Sequence, residues 1–172
     1  MRVDPKILQN NTRELINHLD GFIEFFLSRN LTLSLFGGGA RELVSSSGIM
    51  FDLPTDLDFD FEIRSEKVLY TENFLKDLSK DLEREFQIKC KILKFNICKI
   101  MYKGISIEIG IPRIENYIIG SGAYSHDEFT AEYSLNMEYE DSSCRRDLSL
   151  NSFCVEINSL SEFAVKDPYE GI

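Results

Sequence analysis

The sequence predicts a single α+β domain, or a related α/β domain, with a mixed sheet and helices packed on it. Three observations lead there. Apolar residues recur at helical spacing in the first 30 residues and again over 71–86. Short alternating strands lie between and after these segments. A chain of 172 residues that is 43% hydrophobic has enough apolar mass for one core.

The N-terminal segment predicts a helix. Leu8, Leu15, Leu19, Phe22 and Phe26 share one helical stripe, and a proline stands in the first turn. We therefore assign residues 1–30 to an N-terminal helix that packs on a domain formed by residues 31–172.

The remaining elements follow in order. The patterns predict strands at 31–36, 56–63, 88–95, 97–102 and 105–111, and helices at about 40–46 and 71–86. Residues 47–54 and the Gly-, Ser- and Tyr-rich stretch 112–136 are interpreted as loops, the second a long one. A further helix is expected to begin near residue 138.

Composition excludes several classes of protein. No apolar run approaches 18 residues, so no membrane span is expected. The four cysteines show no metal-finger spacing, which favours reduced thiols in a cytoplasmic protein. The net charge of −10 argues against a nucleic-acid coat protein.

One stretch runs against that acidic balance. Residues 87–111 contain one glutamate, Glu108, and five lysines: Lys89, Lys91, Lys94, Lys99 and Lys103. Such a strip is either a surface for a phosphate backbone or an ordinary solvated strand face, and the sequence favours neither.

The string "LFGGGARE" (35–42) is the first candidate site. A strand runs into Gly37, Gly38 and Gly39 and then into a helix, where glycines allow close approach of a phosphate and Arg41 can reach it. It matches neither a P-loop nor a dinucleotide fingerprint. The alternative is a tight turn without a ligand.

The acidic strand "TDLDFDFE" (55–62) is the second. Alternation places Asp56, Asp58, Asp60 and Glu62 on one face and the apolar residues on the other. Clustered carboxylates become favourable when they bind divalent cations, Mg²⁺ in particular, and Glu108 on a neighbouring strand is a candidate third ligand. The alternative is a solvated edge strand.

The string "CRRDLSLNSF" (144–153) is the third candidate site. Its arginines suit phosphate and its Asp and Asn suit sugar hydroxyls or a base edge. We expect Arg145, Arg146, Asp147 and Asn151 to lie on one or two helical turns. The alternative is a helix with exposed charge.

Together the three strings resemble the head domain of class II tRNA nucleotidyltransferases (CCA-adding enzymes) and bacterial poly(A) polymerases, in the polymerase β-like superfamily. The family pattern is Gly-Gly-x-Val-Arg-Asp, then Asp-x-Asp on a strand, then an acid-bearing strand, then Arg-Arg-Asp-Phe-Thr-x-Asn. The matching residues here are Gly37, Gly38, Arg41, Asp56, Asp58, Arg145, Arg146, Asp147 and Asn151. The resemblance covers about residues 31–172.

The resemblance implies an α+β nucleotidyltransferase fold and a Mg²⁺-dependent transfer of NMP from ATP or CTP to an RNA 3′-hydroxyl, with tRNA as the expected acceptor. Gly37, Gly38 and Arg41 would hold the nucleotide, and Arg145, Asp147 and Asn151 would contact its triphosphate and ribose. Asp56 and Asp58 would bind metal, with Glu108 as a weaker catalytic candidate. Asp60 leaves the register open, because 58/60 is also an Asp-x-Asp pair.

The departures from the family pattern leave other functions open. The helical neck, body and tail that hold tRNA in the family are absent from the sequence, so we expect either a head domain or a minimal enzyme. The rivals are a stand-alone transferase that modifies a protein or a small molecule, and a non-catalytic nucleotide-binding module.

Overall fold

The computed structural model describes residues 4–45, 58–117, 129–146 and 151–170. The predicted loop 47–54 and two predicted site residues, Asp56 and Asp147, lie outside these ranges. The helices are α1 (Pro5–His18), α2 (Asp20–Leu27), α3 (Gly37–Leu43), α4 (Phe74–Phe86) and α5 (Tyr139–Ser143). The strands are β1 (Thr32–Phe36), β2 (Asp58–Arg64), β3 (Lys91–Leu93), β4 (Ile97–Tyr102), β5 (Ile105–Gly110), β6 (Arg113–Tyr117), β7 (Phe129–Tyr133), β8 (Cys154–Ile157) and β9 (Phe163–Lys166).

Within the described residues, seven strands form one mixed sheet in the order β3-β4-β5-β2-β1-β8-β9. β2 and β5 are parallel, and the other neighbours are antiparallel. The predicted α+β class is confirmed. Parallel pairing places residues 58–62 of β2 beside residues 106–110 of β5, with Asp60 opposite Glu108.

One face of this sheet carries the core. Phe59, Phe61 and Ile63 of β2 are at most 3% exposed and join a cluster with apolar residues of α1, α2, α3 and α4. The alternation that buries these side chains turns Asp58, Asp60 and Glu62 to the opposite face. The core therefore fixes where the acids point.

The N-terminal segment is two helices, where one was predicted. The break falls at Leu19, which is fully buried. The Asp20 carboxylate accepts a hydrogen bond from the backbone N–H of Gly21 at 2.7 Å, and such local bonds compete with a continuous helix. Gly21 itself has low helix propensity.

The prediction of a loop over residues 112–136 is wrong for both ends of that range, which form strands. β6 and β7 pair as an antiparallel ribbon with Arg113 opposite Tyr133. Polar side chains of the ribbon contact each other: Asn116 donates a hydrogen bond to Glu132 at 3.0 Å, and Arg113 forms an ion pair with Glu115 at 2.8 Å. β6 bears few apolar residues, and the short alternation of β7 (FTAEY) lies within a Gly-, Ser- and Tyr-rich stretch that favours a loop.

Smaller differences affect the remaining elements. β3 is shorter than the predicted strand 88–95, and α3 begins at Gly37, so that the glycines form its first turn. α5 confirms the helix expected near residue 138 but ends at Ser143, so Arg145 and Arg146 follow it and do not lie on helical turns. β8 and β9 were not predicted. No helix in the described ranges is long and apolar enough to cross a membrane.

The third glycine of α3 serves packing. A Cβ on Gly39 would stand 2.9 Å from Leu35 Cδ1 and 3.0 Å from Phe59 Cδ1, so these side chains would have to shift. Because Gly39 is buried, its missing side chain helps α3 to lie directly against β1 and β2.

We predict that Gly39→Ala lowers the free energy of unfolding by roughly 1–3 kcal/mol through overpacking. The control is Gly21→Ala in α2, where the added Cβ would meet only Tyr102 Oη at 3.8 Å. That change should raise stability by about 0.5–1 kcal/mol through helix propensity. Urea denaturation of both variants measures the difference, and equal effects would refute the packing role.

Candidate active site

Three acids of β2 share one face of the sheet, and each meets a different cationic environment. Asp58 and Asp60 are half-buried, whereas Glu62 is 4% exposed. Like charges on one strand face repel each other unless something compensates them. The compensation differs for the three residues and defines three zones of the site.

The first zone joins Asp58 to Glu108 through Lys99 of β4. Lys99 Nζ donates to Asp58 Oδ2 at 2.7 Å and to Glu108 Oε1 at 3.0 Å. Burial acts to raise the pKa of Asp58, but the hydrogen bonds from Lys99 and Ser106 and the positive charge of Lys99 together outweigh it, and the pKa is lowered. The hydrogen bonds to Asp58 and Glu108 raise the pKa of Lys99.

The second zone surrounds Asp60. Burial, followed by the negative charge of Glu108, raises the pKa of Asp60 to about 6, although Arg146 acts to lower it. Gly37 has φ +61°, and a Cβ there would lie 3.1 Å from Asp60 Oδ2. A glycine is thus favoured at this position both by its left-handed backbone and by the closeness of the carboxylate.

The third zone centres on Glu62. Its carboxylate accepts from Arg64 Nη2 at 2.9 Å, from Arg145 Nη2 at 3.1 Å and from Arg146 Nη2 at 3.2 Å. Three guanidinium groups against one carboxylate leave an excess of positive charge in a half-buried place. Such an excess favours the binding of an anion.

Ring contacts and a serine hold two of these arginines. Arg64 stacks on the Tyr139 ring at 3.7 Å and donates to Ser142 Oγ at 2.6 Å and to the carbonyl of Met137. Arg146 lies over the Phe36 ring at 4.3 Å. Burial lowers the pKa of Arg146, and its Nε is buried without a partner among the described residues.

A pocket of about 470 Å³ lies between Asp60, two arginines of the third zone and the glycine turn. It is lined by Gly37, Gly38, Arg41, Asp60, Arg145, Arg146 and Asn151. The residues come from α3, from β2 and from the segment between α5 and β8, which are far apart in the sequence. Three arginines against Asp60 make the lining cationic.

The structure thus brings together most of the residues that the sequence singled out. Gly37, Gly38, Arg41, Arg145 and Asn151 line one pocket with Asp60. Asp58 and Glu108 share a cation beside it. Asp56 and Asp147 fall outside the described ranges, so their predicted roles stay predictions.

Carboxylate oxygens suit a hard divalent cation such as Mg²⁺. Within the described ranges, no three Asp, Glu, His or Cys side chains form a metal cluster. Two of them, Asp58 and Glu108, nevertheless hold one cationic group between them, the ammonium of Lys99. Their oxygen donors fit a divalent ion.

Sequence reasoning does not find the roles of Glu62 and Lys99. Glu62 has the same alternation as the aspartates, and its partners Arg145 and Arg146 lie 83 and 84 residues away. Lys99 belongs to the lysine strip, and its contact with the acids depends on the strand order. The one signal in the sequence for a contact between Lys99 and an acid is that Glu108 is the single acidic residue among the five lysines of residues 87–111.

The fold is that of a nucleotidyltransferase head domain. The family described as the Poly A polymerase head domain matches residues 33–172, and the chain belongs to that family. The suspected resemblance is therefore confirmed. No match was found among curated proteins.

Solved structures share the fold. A CCA-adding enzyme in its apo form II is 23% identical, with a TM-score of 0.58, over 99% of this chain and 33% of the other. A CCA-adding enzyme in complex with CTP is 17% identical, with a TM-score of 0.60, over 99% and 34%. The Thermotoga maritima CCA-adding enzyme complexed with tRNA is 22% identical, with a TM-score of 0.54, over 99% and 31%. This chain spans about a third of their lengths.

We predict that Glu62→Gln lowers the free energy of unfolding by roughly 3 kcal/mol or more, because it leaves three guanidinium groups without their shared counter-charge. Asp77→Asn is the control, since its pair with Lys80 is about two-thirds exposed. That change should stay within about 0.5 kcal/mol of the parent. Denaturation in phosphate-free buffer measures both, and a Glu62→Gln protein of parental stability would contradict the central role of this carboxylate.

Proposed function

We propose that this chain is a Mg²⁺-dependent nucleotidyltransferase domain that transfers NMP from an NTP to an RNA 3′-hydroxyl. The observation that carries the proposal is the pocket in which the glycine turn, Arg145, Arg146 and Asn151 meet Asp60. A cationic pocket beside an anionic metal-type site is what a triphosphate and its metal require together. The family membership and the CTP- and tRNA-bound structures of similar fold support this assignment.

Each part of the site has a role in that reaction. The acceptor oxygen attacks the α-phosphorus of the nucleotide, a new P–O bond forms, and the bond to pyrophosphate breaks. Gly37 and Gly38 let the triphosphate approach the backbone, and Arg41 and Arg145 neutralise its negative charge. Asn151 is the candidate for the ribose, with Asp147 as a further predicted contact.

Asp58 and Glu108, with Asp56 as the predicted additional ligand, would hold the metal. A Mg²⁺ ion held by these residues would supply Lewis-acid activation of the attacking hydroxyl and stabilise the leaving pyrophosphate. The side chains themselves do little acid–base work. They position the reacting groups and neutralise charge.

We predict that Asp58→Asn lowers transfer by about a hundredfold or more while the protein still folds, because the variant loses a charged metal ligand. The assay offers labelled ATP and CTP with Mg²⁺ and three acceptors: tRNA lacking its CCA end, a generic RNA, and total protein. Asp81→Asn in the exposed part of α4 is the control and should keep parental activity. Full activity of Asp58→Asn would refute the metal assignment.

The same assay decides the acceptor. Labelled tRNA or RNA supports the proposal, whereas label found only on protein would replace RNA by a protein acceptor. Labelling of no acceptor, with nucleotide binding retained, would favour the non-catalytic binding module.

We predict that Arg145→Ala weakens NTP binding roughly 10- to 100-fold, the effect of losing one or two hydrogen bonds to a charged group. Arg145 is 20% exposed and lines the pocket, so its guanidinium is accessible to a ligand. Arg84→Ala, which removes a 76% exposed arginine in α4, should leave binding unchanged. Calorimetric titration with ATP and CTP measures both, and unchanged affinity in Arg145→Ala would exclude this residue from the nucleotide site.

A further inference from the structure

Lys99 stands where a metal would bind. Its ammonium lies 2.7 Å from an oxygen of Asp58 and 3.0 Å from an oxygen of Glu108. Lys99 and Glu108 are cross-strand partners on β4 and β5, and Asp58 lies one strand further on β2. A single cationic group therefore bridges carboxylates from two strands, as a shared cation does.

We propose that Lys99 is an internal counter-ion of the metal site, and that it must leave the two carboxylates before a divalent cation can bind them. This inference rests on the proposed function, since it concerns the same site. It assigns to Lys99 a property that the motifs do not suggest, which is to set the affinity of the site for metal. Lys99 acts here as a positioning residue, because it holds the carboxylates of Asp58 and Glu108 together until a metal displaces it.

The chemistry makes the two occupants mutually exclusive. An ammonium donates hydrogen bonds to the lone pairs that a metal would coordinate. An ammonium and a divalent cation held side by side would also repel each other at short range. Lys99 neutralises one of the two negative charges, whereas a divalent cation neutralises both. Replacement of Lys99 by the divalent cation is thus favourable at high metal concentration. At low metal concentration Lys99 holds the two carboxylates together.

The surroundings allow the exchange. The side chains of Lys99, Asp58 and Glu108 are 37%, 35% and 24% exposed. Ion pairs as exposed as these are weak, because water screens them and competes for both partners. The flexible four-carbon stem of lysine lets the ammonium move away without a change in the backbone.

The strand order explains why Lys99 turns toward the acids. On its other side, Lys99 is the cross-strand partner of Lys91 in β3, the edge strand of the sheet. That neighbour has like charge and repels the ammonium of Lys99. The sheet therefore presents Lys99 with repulsion on one side and two carboxylates on the other.

The experiment measures Mn²⁺ binding in the absence of nucleotide, by the spin-resonance signal of free Mn²⁺. Lys99→Met removes the charge and keeps most of the length, and Lys99→Gln is a second variant in case the first folds poorly. We expect both to bind Mn²⁺ about tenfold more tightly than the parent, which corresponds to about 1.4 kcal/mol. Their melting temperatures should also rise more on addition of Mn²⁺ than that of the parent.

Two controls separate occupancy from general charge. Lys91→Met removes the neighbouring charge that does not touch the acids and should change Mn²⁺ affinity less than twofold. Lys103→Met removes a lysine of the β4–β5 turn whose ammonium contacts the carbonyl of His18 and the carboxylate of Asp20, and it should have no effect.

Several outcomes would overturn the inference. Parental or weaker Mn²⁺ binding by both Lys99 variants refutes the counter-ion role, and so does equal tightening in Lys91→Met. Asp58→Asn tests the proposed function separately. If that variant loses Mn²⁺ binding, the metal assignment stands even when the counter-ion role of Lys99 is refuted. No Mn²⁺ binding by the parent protein would overturn both the inference and the metal assignment beneath it.

Discussion

The ion cluster around Glu62 is the interaction on which the site depends. This nearly buried carboxylate ties β2 to Arg145 and Arg146, which follow α5 in the chain. Without it, Arg145 and Arg146 would lose their ion pairs with the acidic strand, and Arg146 would be left with its contact to the Phe36 ring. A buried charge is tolerated only when it is paired, so Glu62 needs its arginine partners as much as they need Glu62.

The same cluster explains how one strand face carries three acids. Repulsion along β2 is reduced because Asp58 pairs with Lys99 of β4, whereas Asp60 and Glu62 share the charges of Arg145 and Arg146. Glu62 also pairs with Arg64. Burial, followed by the negative charge of Glu108, nevertheless raises the pKa of Asp60 to about 6. The acidic strand therefore has two cationic environments, that of Lys99 at Asp58 and that of the arginines at Asp60 and Glu62.

The predictability of each feature follows from the range of the interactions behind it. β2 could be read from the sequence because its alternation is local and strict, with Phe59 and Phe61 on the core side. β6 could not, since it bears few apolar residues, and the short alternation of β7 lies within a Gly-, Ser- and Tyr-rich stretch that favours a loop. The glycine turn was recognised, but the packing role of Gly39 depends on Leu35 and Phe59 in neighbouring strands. The partners of Glu62 and Lys99 required the strand order and the placement of α5, which no local pattern contains.

The charges of the site suggest how a bound nucleotide would be oriented. At one end, three guanidinium groups exceed the single negative charge of Glu62, and at the other, two carboxylates exceed the single positive charge of Lys99. A metal-bound triphosphate has the complementary arrangement, with its oxygens negative and its metal positive. Because the chain as a whole carries a net charge of −10, general attraction does not draw such an anion in. Recognition must come from this local separation of charge, and an exchangeable Lys99 would keep the anionic end intact until metal arrives.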